Sequence, residues 1–189
     1  MLIELDPVDR ITADAVGPAG ERTFFIQARK AEQLVTVMVE KQQVQLLSAS
    51  VIEILSRAGK PMEEVAEPEP MDLEEPVAPE WRAGRLSIGY QEERDLLFLE
   101  AEELVPEAED EDEEEEAEAE SLEGLPSLDV PEPGRVRLWA TREQMLALAK
   151  HGAEVCAAGR PLCQFCEQPI DPEGHVCAAM NGHRELGEG

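Results

Sequence analysis

The residues of this chain best suited to chemistry are Cys163, Cys166, His175 and Cys177, which follow one another in the spacing C-x2-C-x8-H-x-C. Three thiols and an imidazole within fifteen residues form the donor set of a tetrahedral zinc ion, and Asp171, Pro172 and Gly174 supply the turn between the two pairs. Four protein ligands fill the tetrahedron and leave no position for a reactive water. The expected Zn2+ is therefore structural, and the tail is expected to be a zinc-knuckle-like loop that folds on its metal. Two other readings of the same residues stay open: an unmetallated tail of reduced thiols, and a thiol redox switch at Cys163 and Cys166. A thioredoxin-like pair is disfavoured, because these cysteines follow a predicted helix instead of opening one after a strand.

Three further residues bear on the site. Cys156 falls on the apolar face of the preceding helix, where a buried thiol is the usual outcome and ligation the alternative. His183, in Asn181-Gly182-His183, reads as a polar terminal loop, with replacement of a ligand as the alternative. His151 has no acidic or nucleophilic partner identifiable along the chain. No nucleophile-elbow, P-loop, dinucleotide-binding or paired-histidine metalloprotease motif is present, so no catalytic residue and no organic cofactor is assigned. Catalytic groups drawn from distant segments leave no local signature, which keeps an enzyme as the second reading.

The loop needs a scaffold, and alternating apolar residues predict one. Strands are expected at 9–16, 22–29 and 33–39, the last two as a hairpin. From Glu40 the period lengthens, and Val44, Leu47, Val51, Ile54, Leu55 and Ala58 share a helical face that Gly59 and Pro61 terminate. A second hairpin is expected at 84–91 and 95–101, and a short strand at 136–139. Thr141 with Gln144 forms a capping box for a helix to Ala158, its apolar face carrying Met145, Leu148, Ala149, Gly152 and Cys156. These elements predict an α+β fold: an antiparallel sheet from two hairpin-plus-helix halves, with both helices on one face. Residues 26–39 align without a gap onto 88–101, and Ala58-Gly59-Lys60-Pro61 matches Ala158-Gly159-Arg160-Pro161, as in a degenerate repeat. Val35 and Val37 align equally well with Val136 and Leu138, and short alternating strands also match by chance, so the equivalence stays open. Neither half is large enough to bury a core alone.

Charge divides the 189 residues further. Residues 63–80 hold eight acids and 102–132 sixteen, with no Lys or Arg in either stretch, so 24 of the net −27 lies there and the remainder stands near −3. Both stretches are rich in Pro and poor in aromatics, and both are expected to be disordered acidic linkers. The implied organisation is 1–60, first strand-hairpin-helix half; 61–80, acidic linker; 81–103, second hairpin; 104–134, acidic insertion; 135–159, strand and helix; 160–189, Cys/His tail. No basic-then-apolar leader and no run of about eighteen apolar residues occurs, so a cytoplasmic location without membrane contact is expected. Direct nucleic-acid binding is disfavoured by the negative charge and by only Arg160 and Arg184 as bases beside the Cys/His segment.

Residues 22–29 running towards Glu40-Lys41-Gln42-Gln43-Val44, together with Ala158-Gly159-Arg160-Pro161 ahead of the Cys/His segment and Asn181-Gly182-His183, resemble the DUF3090 family, mostly actinobacterial. The resemblance covers nearly the whole chain apart from the linkers, and its C-terminal motif is the specific part. Family members typically read C-P-x-C-G, whereas Gln164 and Glu167 stand here at the Pro and Gly positions. No activity travels with the resemblance. The expected function is thus a zinc-stabilised adaptor or regulatory protein that binds another protein. The alternatives are an enzyme with a site between the sheet and the Cys/His loop, and the thiol switch.

Overall fold

The computed structural model describes residues 1–59, 70–105, 132–159, 163, 165, 166 and 170. Among the described residues, seven strands and two helices follow one another as β1 (Leu2–Leu5), β2 (Arg10–Val16), β3 (Thr23–Lys30), β4 (Gln33–Val39), α1 (Lys41–Arg57), β5 (Ala83–Gln91), β6 (Leu96–Glu103), β7 (Arg135–Thr141) and α2 (Arg142–Ala157). The fold is α+β, and every element read from periodicity is present. β1 is the addition: four residues are too few to display a period.

The single sheet expected from the sequence is instead two. β2, β3 and β4 form one antiparallel sheet; β1, β7, β6 and β5, in that order, form the other, in which β1 lies parallel to β7. Hairpin patterns specify only the strands joined by a turn. Which hairpins lie side by side depends on β1 pairing with β7, Leu2 beside Arg135 through Leu5 beside Leu138, and this contact has no local signature.

The two halves have one plan. β2–β3–β4 and β5–β6–β7 are both three-stranded antiparallel meanders, and the last strand of each runs directly into a helix. Buried Val35, Val37 and Val39 of β4 correspond to buried Val136, Leu138 and Ala140 of β7, each 101 positions on. At the same offset, Val44, Leu47, Ser48, Val51 and Leu55 of α1 match Met145, Leu148, Ala149, Gly152 and Cys156 of α2. Both helices open alike. The Gln43 side chain accepts the Glu40 N–H at 2.8 Å and donates to the carbonyls of Ala83 and Gly84; the Gln144 side chain accepts the Thr141 N–H at 2.9 Å and donates to those of Val8 and Asp9.

This correspondence decides between the two sequence alignments. The hairpin β3–β4 does have the register of β5–β6, with Ile26 facing Val37 and Ile88 facing Leu99. In their meanders, however, the first pair is second and third, and the second pair is first and second. The helix ends also differ: Gly59 takes a left-handed φ of +62°, a C′ conformation open to glycine, and Gly159 does not.

Each half lends its leading segment to the other. β1, ahead of β2, lies along β7, while residues 80–82, ahead of β5, run parallel to β4 through Glu80 N–H to Thr36 O (2.9 Å) and Met38 N–H to Trp81 O (3.0 Å). The helices pack on each other, α2 chiefly on β2 and α1 chiefly on β5, each the first strand of the other half's meander. One continuous core includes Ile11, Ile26, Val51, Leu97, Leu138 and Met145 from both halves.

Of the two expected linkers, the second, 104–134, lies outside the described residues over 106–131. In the first, 61–80, residues 61–69 also lie outside them, but residues 70–80 do not form a loose linker. They pack as a strap across the β2–β3–β4 sheet, as described below.

Candidate functional site

Of the four predicted zinc ligands, two are described. Cys163 is buried and Cys166 half-buried, and the Phe165 N–H donates to Cys163 Sγ at 3.5 Å. That bond is a turn of the kind a two-residue C-x2-C spacing allows. His175, Cys177 and also His183 lie outside the described residues. Among the described residues no group of three or more His, Cys, Asp or Glu is gathered to hold a metal. The donors themselves fit zinc by type: thiolate sulfur and imidazole nitrogen are the ligands of closed structural sites.

Cys156 stands apart from this pair as a buried residue of α2, its Sγ 3.7 Å from the Lys41 carbonyl at the start of α1. Burial pushes its thiol above the ordinary range, with the Lys41 charge opposing. A protonated thiol in that setting is a small apolar side chain that joins two helices.

His151 has an acidic partner after all. Its Nε2 lies 3.6 Å from Oδ1 of Asp14, which also accepts the Ala15 N–H at 2.7 Å. The pair is formed by packing α2 against β2 and joins residues far apart in the chain, so no sequence window contains it. Among the described residues His151 Nε2 is a buried atom without a hydrogen-bond partner.

Two surface features complete the inventory. Between α1 and β5 a groove of about 270 Å³ is lined mainly by Leu46, Leu47, Leu86 and Ile88, with Arg85 at its wall. On the opposite side of the first sheet, alternation along the strands sends Ile11, Ala13, Ile26 and Ala28 into the core and Arg10, Thr12, Gln27 and Arg29 outward. Arg10, Thr12 and Gln27 are nonetheless buried, while Arg29 stays partly exposed. Arg10 Nε and Nη2 donate to Pro70 O at 3.2 and 2.7 Å, Nη2 also to Asp72 O, and Nη1 to Glu74 Oε1 at 3.0 Å. Thr12 donates to Met71 O. The Gln27 amide meets both backbone groups of Glu74, accepting its N–H at 2.7 Å and donating to its carbonyl at 3.0 Å. Arg29 Nε reaches Glu74 Oε1 at 3.2 Å.

The sequence reading missed this cluster because residues 63–80 were classed by acid and Pro content. The signal present was the polar alternation Arg10, Thr12 and Gln27, Arg29 on strands whose other face is core. A polar stripe at sheet period, next to a bent acidic segment, requires partners once it is covered.

Comparison with known proteins adds one finding. Residues 3–177 match the family model described as "Protein of unknown function (DUF3090)". The chain belongs to the DUF3090 family. The matched span takes in both meanders, both helices and all four predicted ligands, ending on Cys177 and leaving His183 beyond it. No curated protein and no solved structure matches the chain. Among the described residues no helix is long and apolar enough to cross a membrane.

Proposed function

We propose that this DUF3090 protein acts by binding another protein in the cytoplasm, as an adaptor or regulatory component, and that its C-terminal Cys/His segment holds one structural Zn2+. The observation that carries the reading is the buried Cys163 thiol with the Phe165 N–H directed at its sulfur. Cys163 and Cys166 would supply the first two ligands, and His175 and Cys177 the remaining pair. When bound, zinc would supply cross-linking and no chemistry, since sulfur and nitrogen fill its coordination. The tail would then gain its folding free energy from the metal, in place of a core too small to hold it. The groove between α1 and β5 supports a binding role, being apolar and free of His, Asp and Glu in its lining.

Elemental analysis of the untagged protein beside Cys166→Ser tests the zinc. About one zinc per chain, lost in the variant, is the outcome expected of a four-ligand site. No metal in either protein refutes it, and mass measurement after mild oxidation would then examine Cys163 and Cys166 as a redox switch. The enzyme reading is favoured by one observation, the His151–Asp14 pair, in which the carboxylate can orient an imidazole as a general base. It requires a substrate beside the other ring nitrogen, Nδ1, because Nε2 is buried and faces Asp14, and ligand-induced shifts of the His151 ring signals that vanish in Asp14→Asn would establish it.

A further inference from the structure

The outward face of β2–β3–β4 has the construction of a peptide-reading site. Thr12, Gln27 and Thr36 are almost wholly inaccessible and Arg10 is 8% exposed. Buried polar groups at such density are costly unless each is met. What meets them is backbone. Arg10 and Thr12 hold the carbonyls of residues 70–72, and the Gln27 amide, itself held by Thr36 Oγ1 at 3.0 Å, takes both the N–H and the carbonyl of Glu74. Only one side chain of the strap is read by charge: the Glu74 carboxylate, set between Arg10 and Arg29 at 3.0 and 3.2 Å. Main-chain contacts supply affinity for a segment that bends as residues 70–74 do, and the two guanidinium groups select an acid at one position.

The fold itself does not require this strap, and the other half of the molecule is the control. There the positions of Gln27 and Thr36 are taken by Glu100 and Arg137, which satisfy each other: Arg137 Nε and Nη2 donate to Glu100 Oε2 at 2.8 and 2.6 Å. The same meander thus closes its outer face with an internal ion pair in one half and with an added segment in the other. That segment is tied to α1 by the ten residues 60–69, so it competes for the site as an intramolecular ligand.

We propose that the outer face of β2–β3–β4, with Arg10, Gln27 and Arg29 as its reading residues, binds a segment of a partner protein that follows the path of residues 70–74 and carries a glutamate. Residues 70–74 of the chain occupy the site in cis until that partner displaces them. This names a partner class for the protein-binding reading and rests on it, but not on the zinc; the metal determination and the assay below fail independently.

The probe is a fluorescein-labelled peptide with the sequence of residues 69–78, added to the full-length chain and followed by anisotropy. Glu74→Ala weakens the strap without touching the reading residues, and should bind the peptide about tenfold or more tighter than the unaltered chain, as loss of two partly exposed charge-assisted contacts from the competitor implies. Adding Arg29→Ala should remove that gain. Absence of peptide binding to a folded Glu74→Ala chain overturns the proposal. Should that variant not fold, hydrogen exchange on the unaltered chain decides instead. A Glu74 amide exchanging about a hundredfold or more faster than Ala28 marks a strap that opens alone; equal rates mark a strap inseparable from the core and overturn the proposal.

Discussion

Replacing Gln27 by Leu tests whether the strap is held as described. The side chain is 1% exposed and makes three hydrogen bonds, to Thr36 Oγ1 (3.0 Å), Glu74 O (3.0 Å) and Glu74 N–H (2.7 Å). Leucine is of similar bulk, so the change isolates the polar contacts from cavity formation. If the strap stays down, up to three buried groups lose partners at about 1–3 kcal/mol each, or about 3–9 kcal/mol in all. If it lifts, those groups rehydrate, and the loss is limited to what Thr12, Arg10 and Arg29 gained from the strap less the entropy of ordering it, about 2–4 kcal/mol. The cheaper course prevails, so about 2–4 kcal/mol is expected, with the strap released. Urea unfolding measures the loss, and the m-value distinguishes the courses, because a chain with its strap already exposed uncovers less new surface on unfolding. A loss below about 0.5 kcal/mol with an unchanged m-value would refute the reasoning.

Three other outcomes are expected. Thr141→Ala removes the hydroxyl that accepts the Gln144 N–H at 3.2 Å, and should cost about 1 kcal/mol in denaturant unfolding while leaving α2 otherwise intact. The hydrogen bonds from Arg94 hold the Asp6 carboxyl below its usual range; this contribution is present at neutral pH and is lost as pH falls through the lowered value. Arg94→Gln should therefore move the Asp6 titration upward in an NMR pH series, with little change in stability because the pair is exposed. Cys156, with its thiol held protonated by burial, should resist iodoacetamide in the folded protein at pH 8 and react fully in denaturant, as read by peptide mass.

Local order was legible where one element carries its own pattern. The apolar spacing from Val44 to Leu55 and from Met145 to Cys156 marked α1 and α2, and Thr141 with Gln144 marked the cap. The order of strands was not, since β1 carries too few residues for a period and pairs with a strand that begins at Arg135. The first acidic stretch was misjudged for a related reason. Composition reports what a segment can bury by itself, whereas residues 70–74 are ordered by polar groups that Arg10, Thr12 and Gln27 supply from elsewhere.

By itself, the sequence determined two amphipathic helices, the hairpins, and a C-terminal donor set of the zinc type, because periodicity and ligand spacing are properties of neighbours along one chain. Only the tertiary structure decided that the meanders exchange their leading segments, that His151 meets Asp14, and that an acidic segment lies under two arginines. Those contacts join residues whose separation in sequence carries no period. They form because buried polar and backbone groups must find partners wherever the fold provides them.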